Sequence, residues 1–190
     1  MGGIVSTFAA VVARGKNGWT ASELELTGLA DIDEVVDQVQ EAEPDAELSL
    51  LFVEADDQYL VILRLDEGED LRVFGSDSAY AAESRIGALL LGDIEAPALE
   101  IDELAPSSGP FDEVEPLADA DDDDDDEEDR PVVDPDADPV GDADLLADLG
   151  ISSHRLLSLC AREGLLPSDV TAEICRRLGC GDELDELREA

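Results

Sequence analysis

The sequence predicts an α+β fold: a mostly antiparallel sheet with two helices in the order ββαβββα, then a disordered acidic linker and a small C-terminal helical module. Three observations carry that prediction. The Leu-, Val- and Ile-rich stretch from Glu47 to Leu65 is interrupted only by the polar turn Asp56-Asp57-Gln58, which is the signature of a strand pair. Two windows, one opening near Asp31 and one near Ser78, repeat apolar residues at helical spacing. Finally, 51 Asp and Glu against 11 Lys and Arg, a net charge of -40, coexist with 44% hydrophobic residues. That is too apolar for a wholly disordered chain and too acidic for one uniform globule, so acid and core are segregated along the 190 residues.

Ile4 to Ala13 is apolar but has no basic residue before it and is about half the ~20 residues that span a bilayer, so it is read as neither leader nor membrane span. Met1 to Ser6 matches the myristoylation pattern, and the strand character of the residues after Ser6 argues against that use. Ser6 to Arg14 is strand-like, Gly15-Lys16-Asn17-Gly18 is a turn, and Trp19 to Leu26 is the partner strand. Asp31-Ile32-Asp33-Glu34 opens a helix with carboxylates where the helix dipole favours them, and Ile32, Val35, Val36 and Val39 form one stripe that Pro44 ends. In the central hairpin both faces are apolar: Leu48, Leu50 and Phe52 against Leu51 and Val53, then Tyr59, Val61, Leu63 and Leu65 against Leu60 and Ile62. A half-exposed strand alternates apolar with polar, so this hairpin is buried on both sides. A short strand, Leu71 to Phe74, and one helix from about Ser78 to Leu91 complete a domain spanning residues 1–92.

Residues 93–141 lose all periodicity and hold seven prolines and one basic residue, Arg130. At their centre stand Asp121, Asp122, Asp123, Asp124, Asp125, Asp126, Glu127, Glu128 and Asp129. Neighbouring carboxylates about 7 Å apart repel by roughly 0.6 kcal/mol in water, less in salt, with no apolar burial to offset it. The run is therefore read as a solvated spacer and as the candidate interaction site for a basic partner. Helical order returns in 142–190. Leu145, Leu146 and Leu149 mark a short helix closed by Gly150; Leu156, Leu159 and Cys160 mark a second closed by Gly164. Pro167 opens a third, lined by Val170, Ile174 and Leu178 and closed by Gly179, and Leu184 and Leu187 suggest a frayed fourth. A module of about fifty residues is marginal on its own.

No catalytic constellation is evident. His154, Cys160, Cys175 and Cys180 lack the paired spacing of a structural zinc site, and His154 and Cys160 fall on different sides of one helix. Three cysteines confined to the C-terminal quarter imply no disulfide framework and fit a reducing cytoplasm. With 51 acids, adjacent carboxylates are inevitable and identify no acid/base pair, and no glycine-rich phosphate loop succeeds a strand. Arg176 and Arg177 invite a helix-turn-helix reading, yet 142–190 holds five Arg against eleven acids. Nucleic-acid affinity rests on Lys and Arg at phosphates, so neither direct nucleic-acid binding nor an anionic membrane is expected.

The order of pieces does resemble a known family. A strand, the Gly-x-x-Gly-Trp turn from Gly15 to Trp19, the Leu-rich hairpin and an acidic spacer are succeeded by Leu-Leu-Pro-Ser-Asp-Val at Leu165 to Val170 and Arg-Arg-Leu-Gly at Arg176 to Gly179. Together these resemble the actinobacterial tRNA adenosine deaminase-associated proteins. The resemblance implies a partner or a genomic neighbour of the tRNA adenosine deaminase, and with no catalytic constellation the chain is read as a non-enzymatic, cytoplasmic accessory protein, with no cofactor, that binds another protein, the deaminase being the candidate. The chain is not the deaminase itself, whose His-x-Glu and Pro-Cys-x-x-Cys signature is missing. Two other classes compete with it: an acidic mimic of nucleic acid acting through Asp121 to Asp129, and an enzyme of unrecognised type on residues 1–92.

Overall fold

In the computed structural model, which describes residues 7–55, 57–92, 94, 139–162 and 165–190, the turn Lys16-Asn17 joins β1 (Thr7–Gly15) to β2 (Gly18–Glu23). Gly18 closes it at φ +115°, a conformation open to glycine and costly to other residues. After α1 (Ile32–Ala42) the central hairpin forms from β3 (Leu48–Ala55) and β4 (Tyr59–Asp66), in register from Leu48 opposite Asp66 to Ala55 opposite Tyr59. β5 (Asp70–Gly75) pairs with β4, and β6 (Val140–Gly141) pairs with β5. The sheet is antiparallel throughout, in the order β2-β1-β3-β4-β5-β6. The hairpin on which the sequence centres thus occupies the middle of the sheet, flanked on both sides.

Side-chain alternation assigns the two faces as the sequence predicts. Leu51, Val53, Val61, Leu63 and Leu65 share one core with Val35 and Val39 of α1 and with the helical segment after β5. Asp31 caps α1 by accepting the Glu34 N–H at 3.0 Å, and Glu34 reaches back to accept the Ala30 N–H at 2.6 Å. The helix expected from Ser78 to Leu91 is two helices, α2 (Ala79–Glu83) and α3 (Arg85–Leu91). Ser84 between them is extended, at φ -127° and ψ 138°, and its Oγ caps α3 by accepting the Gly87 N–H at 3.3 Å. The break is sharp enough that a Cβ on Gly87 would lie 2.1 Å from the Tyr80 carbonyl oxygen. The second strand also stops earlier than expected, at Glu23, because Leu24 and Leu26 turn down into this core.

The opposite face is covered by the C-terminal residues, which the sequence sets apart as a module of their own. Ala10, Val12, Leu50, Phe52, Ile62 and Phe74 share one cluster with Leu145, Leu146, Ile151, Leu156, Ile174 and Leu184. The helices here are α4 (Ser153–Cys160), α5 (Pro167–Leu178) and α6 (Gly181–Glu189). The expected helix around Leu145 to Leu149 is only a 3-10 turn, Ala147–Leu149, closed by Gly150 at φ +91°. The expected frayed end is a regular helix, anchored by Leu184 at 1% exposure. Val140 and Gly141, placed by the sequence at the end of the linker, belong to the sheet. Gly164 lies outside the described residues, and Gly179 closes α5 at φ +86°.

Candidate functional site

The acid run, Asp121 to Asp129, lies outside the described residues. His154 and the three cysteines lie within the described residues. His154 is exposed on α4, whereas Cys160 is buried beneath the same helix, so the two do not meet. Burial pushes the Cys160 thiol up to about 12. Cys175 and Cys180 are also buried; the Cys180 thiol donates to the Cys175 carbonyl oxygen at 3.4 Å, and the Cys180 side chain and then burial push the Cys175 thiol well above its ordinary range. A thiol so held supplies no thiolate at neutral pH. Among the described residues no group of three His, Cys, Asp or Glu side chains is arranged to hold a metal. No helix among them is long and apolar enough to cross a membrane.

A cleft of about 660 Å³ opens at one end of the sheet, between the loop after β2, the turn into β4 and the α2–α3 break. Several of its polar groups are engaged, whereas Thr7 Oγ1, buried in its lining, has no hydrogen-bond partner among the described residues. Tyr59 stacks on Tyr80 with ring centres 4.6 Å apart and donates its hydroxyl to Glu83 Oε2 at 2.7 Å. Arg85 donates to the Leu29 carbonyl oxygen at 3.2 Å, and Ser84 is spent on the helix cap. This corner presents aromatic and aliphatic surface around the Tyr59–Glu83 pair. A second, open depression of about 760 Å³ is lined by Asp37, Glu41, Glu43, Glu67 and Glu69. There Gln40 donates to the Gly68 carbonyl oxygen at 2.8 Å, tying α1 to the β4–β5 turn beneath an acidic surface.

Two arginines that the sequence leaves unremarked bind the C-terminal residues to the sheet. Arg64 stands on β4, on the face of Leu60 and Ile62, and its side chain is 7% exposed. Its Nε and Nη2 donate to the two Asp66 oxygens at 2.7 and 2.8 Å. Nη2 also donates to Asp148 Oδ2 at 2.8 Å, and Nη1 donates to Asp148 Oδ1 and to the Leu145 carbonyl oxygen. These hydrogen bonds raise the Arg64 pKa above its usual value and hold the Asp148 carboxyl below the usual carboxylate range. Arg188 of α6 lies 5.3 Å from the Phe8 ring centre and pairs with Glu54 on β3. Burial pushes the Glu54 carboxyl up in spite of that pairing. A lone Arg in a Leu-rich strand was the available signal for Arg64. Asp66, two residues on and on the same face, is the half of its cage visible in the sequence.

The family model described as Rv3753c-like tRNA adenosine deaminase-associated protein matches residues 7–181. No curated protein and no solved structure matches the chain.

Proposed function

The chain belongs to the Rv3753c-like tRNA adenosine deaminase-associated protein family, and from that premise we propose that it is a non-catalytic, cytoplasmic accessory protein that binds the tRNA adenosine deaminase. The distribution of charge carries this reading. Of the 51 acids 20 fall within 95–138, beside Arg130, so the remaining residues hold 31 acids against 10 Lys and Arg. The acid excess is therefore not confined to the low-complexity run. An enzyme that holds tRNA presents Lys and Arg to the phosphates. A surface of this sign is drawn to such an enzyme and repelled by its substrate. The buried Cys160 and Cys175 thiols, which supply no thiolate, support a binding role over a catalytic one.

Asp121 to Asp129 enter this reading as a steering element that raises the rate of encounter with the basic enzyme. The test is a pull-down of the full chain from its native cell, read by mass spectrometry at low and physiological salt. Recovery of the deaminase in near-stoichiometric yield is expected, with tRNA alone not retained. Recovery of another partner without the deaminase refutes the reading. Deleting Asp121 to Asp129 is expected to slow association and leave the complex intact. If deletion abolishes binding, the run itself is the ligand and competes with tRNA as a nucleic-acid mimic.

A further inference from the structure

The two edges of the sheet differ. One is β6, two residues long; the other is β2, six residues long and paired with β1 without a bulge. The register fixes which groups of β2 face outward. Leu24 N–H donates to the Ala9 carbonyl oxygen at 2.9 Å, and in an antiparallel ladder bonded and non-bonded positions alternate. Gly18, Thr20 and Ser22 therefore bond to β1, while Trp19, Ala21 and Glu23 turn their N–H and C=O groups to the open side. Among the described residues no backbone hydrogen bond reaches those groups from beyond β1. Exposed edges are commonly blunted by Lys, Pro or a bulge, and Gly18 to Glu23 contains none of these.

The surroundings of this edge give the chemistry of what fits it. α6 packs over β2, with Leu184 and Leu187 in the cluster that holds Trp19 and Ala21. Arg188 on α6 reaches inward, to Glu54 on β3 and Phe8 on β1. At about 100° per residue, Glu183 falls on the opposite flank of α6, away from β1 and β3, and Glu186 falls on the outer side, where it is exposed. Glu183 Oε2 is out of contact with solvent and has no hydrogen-bond partner among the described residues. On the other face Glu43 accepts the Thr20 hydroxyl at 3.2 Å, and Glu23 is exposed at the strand's end. The nearby cations, Lys16 in the turn and Arg14 stacked 5.7 Å from the Trp19 ring centre, sit at the far end.

We propose that the open edge of β2 takes an extended, Lys- or Arg-bearing segment of a partner protein as an added strand, its backbone pairing with Trp19, Ala21 and Glu23 and its cations meeting Glu23 and Glu183. The proposal rests on the reading of the chain as a protein-binding accessory, and names the surface and the partner's chemistry. A second copy is a poorer occupant, since each chain carries -40 and Glu23 at one edge would meet acids of the other chain rather than cations.

The test uses the full chain and a blocked peptide of about ten residues alternating Lys with Val, matched to the length of an ordinary strand. Hydrogen exchange is expected to slow at the amides of Trp19, Ala21 and Glu23, with affinity falling as NaCl rises and no binding of the peptide alternating Glu with Val. Ala21→Pro removes an outward N–H and is expected to weaken the peptide about tenfold. Glu23→Pro, at an exposed position, does the same should Ala21→Pro unfold, and each variant's urea midpoint is checked. Absence of peptide binding, binding that leaves those amides unprotected, or their concentration-dependent protection in the chain alone overturns the proposal. The peptide is not the deaminase, so the two readings fail separately. A deaminase complex that both proline variants leave unchanged refutes the edge and spares the accessory role.

Discussion

Replacing Asp148 with Ala removes half of the cage around Arg64 without touching the sheet. Asp148 receives two charge-assisted hydrogen bonds from Arg64, each worth up to about 1.5–3 kcal/mol. Its side chain is 57% exposed, so solvent screening discounts the pair, while Asp66 and the Leu145 carbonyl still hold Arg64. The expected cost is about 2 kcal/mol, or a fall in Tm of about 4–8 °C for a chain of this size. The assay is urea and thermal unfolding at pH 7, followed by the fluorescence of Trp19, the only tryptophan, and by far-UV circular dichroism. Because Trp19 reports on β2 and Asp148 lies in the C-terminal residues, both signals should shift together. The Asp148 carboxyl is depressed in the folded chain, so its contribution is complete above the ordinary value of 3.8 and is lost as pH falls through the folded value. The gap between parent and variant must therefore close in strong acid. A Trp19 transition that stays in place while the helical signal melts early would falsify the claim that the two segments share one core.

Glu54 carries the opposite sign. Its carboxyl is raised above 4.5 by burial, so the folded chain binds its proton more tightly and loses stability as pH climbs from 4.5 through the folded value. Glu54→Gln should flatten the stability profile in that window, measured by urea midpoints across pH; an unchanged slope counts against the burial argument. Gly141→Ala forces φ +88° on a residue with a Cβ and sets that Cβ 2.1 Å from the Val73 carbonyl oxygen. It should cost at least about 1–2 kcal/mol and speed hydrogen exchange at Asp142, whose N–H donates to Val73 at 2.8 Å. The Pro- and acid-rich composition of 93–141 predicts protease cleavage there, and the shared core predicts that the two fragments then co-elute. Fragments that separate in native buffer contradict that core.

The hairpin, the first turn, the stripe and cap of α1 and the glycine closures at Gly150 and Gly179 were legible because each depends on local alternation, periodicity or turn chemistry. The break at Ser84 was not. Apolar spacing from Ala79 to Leu91 suits one helix, and only the close approach of Gly87 to Tyr80 requires two. The cover of the second sheet face was half legible. Apolar residues on both sides of β3 and β4 demand a covering layer on each, but nothing local says that Leu145, Ile151 and Ile174 supply it from beyond the acidic stretch. As for function, the sequence supplied the charge and the family resemblance. The open edge of β2 depends on sheet order, which no window of sequence contains.

The late arrival of that cover has a consequence during synthesis. When Phe74 has left the ribosome, Leu50, Phe52 and Ile62 can already form a sheet, yet the residues that seal their far side, as late as Leu184, have still to be translated. At about 5–20 residues per second that interval is about 5–20 s, in which a nascent chain exposes a greasy, aggregation-prone surface. The acids of 95–138 emerge within it, before the seal does. Like charge on nascent chains of neighbouring ribosomes opposes their association while the unfinished sheets are bare, which lowers the chance that two bare faces meet.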